Sequence, residues 1–286
     1  MGIVTSITLR TYPMESVTGG FWVMLDDENY TKTREYVKLC RDLVLEQEKN
    51  GSRKLFGGVY MTNLPPEESI PEQMHGQPCT LFNMACWGTE DEAKDLMSKL
   101  SDGDIIFGKA PGPMPFNVFN QIMGGVFLKF PPFGTYWKAP MTTTLANEDI
   151  DKYCDKYVHH EPWLNGGFAG FEFQGGEQGR LHGNKINEGN DNCVASLRSY
   201  LFSIPSYLYF PPGKDNLERA RALACDMASV FEDQRVASYS NCLFELKDEA
   251  DRARETELCF PDAAQLSKTK QSADPHNLFT RSVISV

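Results

Sequence analysis

The sequence predicts an α+β fold, an antiparallel sheet with helices packed on one face. Three observations point there. Strand and helix patterns do not alternate strictly, but run strand, helix, strand, strand, helix through the first third of the chain. The strand patterns are short and separated by turn residues. The helical patterns are apolar on one side only.

The elements follow in order. Ile3, Thr5, Ile7 and Leu9 alternate with Val4, Ser6 and Thr8, the two-residue period of a strand. Phe21–Leu25 is a second apolar strand. Residues 30–49 carry Tyr36, Val37, Cys40, Leu43, Val44 and Gln47 on one helical face, and Asn50-Gly51 is a helix stop. Phe56–Met61 and Leu81–Trp87 read as strands. Thr89 is an N-cap for a helix bearing Ala93, Leu96, Met97 and Leu100. Pro111, Pro113, Pro115, Pro131 and Pro132 oppose long regular structure between 101 and 145. A short helix opens at Asn147 or Glu148 and runs to Tyr157. Phe168–Gln174 is a strand, Val194–Phe210 a longer one, and a Gly/Asn-rich loop joins them. Asp215 with Glu218 reads as a capping box ahead of a helix with Leu217, Ala220, Ala224, Met227 and Phe231 on one side.

Composition narrows the function classes. A chain of 286 residues with 41% apolar and 12% aromatic content supports a real core. No run of roughly 18 apolar residues is present, so no membrane-spanning helix is expected. The net charge of −11 opposes nucleic-acid binding, because an acidic surface repels phosphates. Eight cysteines include no C-x-x-C pair, which removes zinc-ribbon and thioredoxin-like readings. Cys79 and Cys86 are spaced for a local disulfide in an oxidising compartment. Asn29-Tyr30-Thr31 and Asn50-Gly51-Ser52 are glycosylation sequons, compatible with secretion; the sequence leaves the compartment open. His159-His160-Glu161 is a poor metal site, since adjacent side chains on a regular element point apart. Gly175-Gly176-Glu177-Gln178-Gly179 lacks dinucleotide-fingerprint spacing, and neither a Walker A motif nor a G-x-S-x-G elbow occurs.

The most specific stretch is near the C-terminus. Tyr239-Ser240-Asn241-Cys242, Leu266-Ser267-Lys268-Thr269-Lys270 and Asp274-Pro275-His276-Asn277-Leu278-Phe279 approximate Y-x-N-Y … L-x-x-x-K-x-x-x-D-P-x-N-x-F. That pattern resembles the closing segment of the berberine bridge enzyme-like, FAD-linked oxidases. Gly2–Pro13 looks like the last strand of that family's flavin-binding domain, and Phe171–Gly176 like its strand ending in a Gly-Gly turn. The resemblance implies the second half of a two-domain flavoenzyme. Residues 1–13 would be the final strand of a flavin-binding domain that is otherwise absent. Residues 14–232 would form the substrate domain, and 233–286 the C-terminal segment. No R-S-G-G-H-type flavin-attachment loop is present, so FAD is expected for the complete enzyme rather than for this chain alone.

The resemblance also implies roles. Tyr239 matches the tyrosine that takes a substrate hydroxyl proton while hydride leaves for the flavin. A phenol titrates near 10, so such a base needs nearby positive charge or hydrogen bonding. Asn241 matches the asparagine beside the flavin, whereas Cys242 replaces the second tyrosine. Glu172, flanked by Phe171 and Phe173 on a strand, faces away from the apolar layer. It reads either as an acid orienting substrate or tyrosine, or as a solvated carboxylate. Arg198, Tyr200, Phe202 and Ile204 fall on one face of the long strand, which makes Arg198 and Tyr200 pocket candidates; an ordinary half-exposed strand fits as well. The resulting expectation is part of an FAD-linked oxidoreductase that oxidises an alcohol, carbohydrate or alkaloid-like small molecule and is inactive alone. The alternative is a non-catalytic α+β module that binds a ligand or pairs with a flavin-binding chain. Without its partner domain, the C-terminal segment is expected to leave Leu243, Phe244, Phe260, Leu278 and Phe279 uncovered and to be loosely held.

Overall fold

The computed structural model describes residues 5, 6, 8, 16–52, 54–64, 66, 68, 70–127, 134–158, 167–174, 200–239, 248–260 and 263–278, and of 123–127 the backbone alone. Its organising element is an antiparallel sheet of eleven strands among these residues. The strands are β1 (Ser16–Leu25), β2 (Leu55–Asn63), β3 (Pro78–Cys86), β4 (Ile105–Gly108), β5 (Gly112–Pro115), β6 (Gly134–Lys138), β7 (Pro140–Thr142), β8 (Phe168–Phe173), β9 (Phe202–Ser203), β10 (Ser206–Phe210) and β11 (Arg235–Ser238). The main path runs β11-β7-β9-β8-β2-β3-β1-β4, with β10 bridging β8 to β6 and β5 flanking β1. The helices are α1 (Thr31–Lys49), α2 (Glu90–Ser98), α3 (Phe116–Phe127), α4 (Asn147–Val158), α5 (Lys214–Ser229), α6 (Glu249–Cys259) and α7 (Ala263–Ala273).

Strand alternation builds the core. Trp22, Met24, Val59, Met61, Phe82, Met84, Phe171 and Phe173 share one face. They bury against Val37, Cys40 and Val44 of α1, Ala93 and Met97 of α2, Tyr153 of α4 and Met227 of α5. Trp22 stacks on Phe82 at 4.8 Å between centroids. Helices on one face are thus the observed architecture, with one addition. Phe119 of α3 packs on Val17 and Ala85, which belong to the opposite face.

Several expectations need correction. The 101–145 stretch contains a twelve-residue helix and short strands. Its prolines are accommodated because Pro113 and Pro115 lie in β5, which pairs only with β1, and α3 starts immediately after Pro115. The long strand is interrupted at Pro205, yet the pairing register with β8 continues unchanged from Ser203 to Ser206. The alternation breaks before Phe202. Tyr200 packs with Met141 and Ala237, whereas Phe202 and Ile204 enter the helical core. Asp215 and Glu218 form no capping box. Gly213 holds the cap position without a side-chain bond, Glu218 pairs with Arg221, and Leu217 is exposed. Cys79 and Cys86 are free. They sit at the two ends of one extended strand on opposite faces, about 23 Å apart at strand rise, too far for a bridge.

The local signals that held have visible causes. Thr89 and Glu92 complete a reciprocal capping box at α2. Gly51 adopts φ 69° just past α1, as a helix-terminating glycine does. Of the residues 3–9, Thr5, Ser6 and Thr8 lie in no regular element; the others are outside the described residues. No described helix is long and apolar enough to cross a membrane.

The C-terminal segment is tied down by buried charge. Arg235 of β11 pairs with Glu255 of α6, both almost fully buried, and also with Glu232 at 3.0 Å. Lys270 and Asp274, the K and D of the terminal motif, form a buried i,i+4 pair at 2.9 Å. Asp274 also accepts from the Leu278 backbone N–H, and Asn277 takes the left-handed turn conformation, φ 49°. The motif is therefore a helix-terminating turn with its own physical logic. Leu278 is 77% exposed and Phe260 half-buried, while Leu243, Phe244 and Phe279 lie outside the described residues. Arg235→Ala should destabilise the protein by about 3–5 kcal/mol, because Glu255 would be left buried without its cation. Arg254→Ala, at an exposed pair with Glu232, should cost below about 1 kcal/mol. Urea unfolding of both variants checks the contrast.

Candidate functional site

The sheet face opposite the main helical layer carries Glu172, and Tyr200 packs on it. On β8, Phe168, Gly170 and Glu172 alternate with Ala169, Phe171 and Phe173, so Glu172 is carried away from the core as expected. Its strand neighbours place Gly58 beside it on β2 and Ser203 on β9. Met141 pairs with Ser203 and Ala237 with Met141, extending the same face to β11. Tyr200 sits on this pair, and Tyr239 follows β11 with 39% exposure.

Glu172 is half-buried and held by hydroxyl groups. Tyr60 donates to Oε1 at 3.1 Å, Tyr207 to Oε1 at 2.9 Å, and Ser203 to Oε2 at 3.0 Å. Burial pushes its carboxyl above the ordinary range, and the three donors only partly offset that. Burial, then the Glu172 charge, raises the Tyr60 phenol well above ordinary values. The Tyr200 phenol is raised chiefly by burial and further by Glu172 and Tyr239. Arg198 and Asn241 lie outside the described residues, as do His159-His160-Glu161 and Gly175-Gly176.

Sequence reasoning missed the aromatic wall beside Glu172. Tyr60 and Phe168 meet edge to face at 5.2 Å, Phe168 lies 4.9 Å from Tyr207, and Tyr207 meets Trp137 edge to face at 5.2 Å. Trp137 is 41% exposed, so the row ends in a ring that a ligand can reach. The signal for Tyr207 was present in its strand's alternation. The partnership of β6 with β10 was not, because it is a long-range pairing.

The face suits an uncharged or donor-bearing ring compound better than a diphosphate. Clustered cations or backbone N–H groups are what diphosphates need. Among the described strand residues of this face from β2 to β11, the charged side chain is the carboxylate Glu172. The described part of this chain can therefore wall a flavin ring or substrate, but it does not fit the whole of FAD. No group of three His, Cys, Asp or Glu among the described residues could hold a metal ion.

No family model matches the sequence, and no curated protein matches it. Solved structures do match its fold. Berberine bridge enzyme from Eschscholzia californica superposes with a TM-score of 0.65 at 13% identity, covering 95% of this chain and 55% of that one. The xylooligosaccharide oxidase from Myceliophthora thermophila C1, in complex with xylobiose, gives 0.61 at 12% identity, covering 95% and 56%. GilR, an oxidoreductase that catalyses the terminal step of gilvocarcin biosynthesis, gives 0.60 at 15% identity, covering 92% and 55%. The chain thus has a fold found in FAD-linked oxidases and spans about half the length of these proteins.

The raised Glu172 carboxyl has a definite sign. The folded state holds its proton to higher pH than the unfolded chain, so this group's contribution to stability falls as pH rises from about 4.5 through the raised folded value. Glu172→Gln should flatten that part of the stability–pH curve. Urea midpoints at pH 4, 6 and 8 for both proteins check it.

Proposed function

We propose that this chain is the substrate-binding part of an FAD-linked oxidoreductase of the berberine bridge enzyme-like kind. Its substrate would be an alcohol, carbohydrate or alkaloid-like small molecule. What supports the reading is Glu172, held by three hydroxyl donors on the sheet face where Tyr200 packs, joined to a fold found in such oxidases.

In this reading the substrate lies against the aromatic row, with its reacting carbon toward Tyr239. The Tyr239 phenolate oxygen takes the substrate's hydroxyl proton as hydride leaves for the flavin, becoming the neutral phenol, and Glu172 accepts a hydrogen bond that fixes the substrate's orientation. Tyr200 lines the same pocket, with Arg198 as a further pocket residue and Asn241 as a flavin contact. Phe168, Tyr207 and Trp137 present apolar surface that excludes water from the reacting face. The flavin supplies the two-electron oxidising ring, and a separate flavin-binding domain or chain holds it.

Two measurements test this. The purified chain should carry no flavin absorbance, while co-expression with a flavin-binding domain should yield a yellow complex. That complex should release hydrogen peroxide from some member of a panel of sugars, alcohols and alkaloid amines. Tyr239→Phe should then lower kcat on the order of 10²–10⁴-fold. Full activity in that variant, or tight flavin binding by the chain alone, would count against the assignment.

A further inference from the structure

A carboxylate offers about four acceptor positions, two on each oxygen. At Glu172 three of these are taken: Tyr60 and Tyr207 fill Oε1, and Ser203 takes one position on Oε2. No other described residue bonds it, which leaves one position, on Oε2. We infer that Tyr60 is a positioning residue that, with Tyr207, saturates Oε1 and leaves to a ligand the one acceptor position, on Oε2 of Glu172, that no described residue fills. The site therefore takes one O–H or N–H donor per ligand, beside the ring surfaces of Tyr60, Phe168 and Tyr207. The ligand-facing role rests on the oxidoreductase reading, whereas the saturation of Oε1 stands without it.

Two glycines make this placement possible. Gly58 and Gly170 lie beneath the Tyr60 side chain. A Cβ at Gly58 would overlap the Tyr60 hydroxyl and ring, and a Cβ at Gly170 would overlap its Cα and ring. The absence of these two side chains lets the ring lie along the sheet, so that its hydroxyl reaches Glu172 on the neighbouring strand, two residues along from its own partner Gly170. Phe168 then meets the ring edge to face and blocks its return to solvent. Tyr60 is only 5% exposed, so a bulk-water role for its hydroxyl is excluded. The titratable groups that sense Glu172 are Tyr60 on β2, Tyr207 on β10, Tyr200 ahead of β9, and Tyr153 from the helical layer. No described Lys, Arg or His contributes to its ionisation. The hydroxyl donors are thus its only stabilisation as an anion among the described residues.

The test is a titration of the full chain labelled with ¹³C at the glutamate carboxyl, with the Glu172 signal assigned by its loss in Glu172→Gln. Tyr60→Phe keeps the ring over both glycines and deletes one donor, so the Glu172 midpoint should rise by about one pH unit. Gly58→Ala should reproduce that rise without altering Tyr60 or Glu172, a result that a purely packing role for Tyr60 would not produce. A midpoint unmoved in folded Tyr60→Phe protein overturns the inference, and that variant decides alone if Gly58→Ala fails to fold. Because the titration needs neither flavin nor turnover, its failure is separate from failure of the oxidoreductase reading. In the flavin-loaded complex, Tyr60→Phe should raise KM more than it lowers kcat.

Discussion

Successive side chains of a strand point to opposite faces, so β8 must serve two layers at once. Phe171 and Phe173 bury into the helical core at 0% and 1% exposure, and Glu172 between them is carried to the other face. The core fixes the position of this strand through residues that have nothing to do with chemistry. A carboxylate is thereby placed where burial opposes its charge and hydroxyls must answer. Tyr60, Ser203 and Tyr207 supply those hydroxyls from three different strands. The arrangement exists only because β2, β9 and β10 all border β8.

The same dependence reaches Tyr239. It follows β11, an edge strand whose pairing is short and whose register shifts between Arg235 and Ala237. Such a strand is weakly held by its ladder alone. The buried Arg235–Glu255 pair compensates by clamping β11 to α6, and Arg235 also donates to Ser238 Oγ at the end of the strand. A buried ion pair adds little net stability compared with apolar packing, but it tolerates few alternative positions.

The chain spans about half the length of the oxidases it matches, and its described open face is aromatic and anionic rather than cationic. Such a face is not equipped to cradle a diphosphate.

Much of the architecture was readable in the chain itself. Helical periodicity located α1 and α2, the Thr89 and Gly51 signals marked their ends, and the Phe-Glu-Phe alternation sent Glu172 to the open face. These are local effects, set by side-chain direction and by orphaned backbone groups at helix ends. Tertiary structure alone decided the rest. Pro205 interrupts a strand that pairing then carries forward in register, and the break before Phe202 sends Tyr200 onto Met141 and Ala237 instead of into the helical core. The meeting of Tyr60, Tyr207 and Trp137 needs strands far apart in sequence to become neighbours. Periodicity reports which way a side chain points, but which side chain it meets is set by strand order, and that depends on how the whole sheet buries its apolar face.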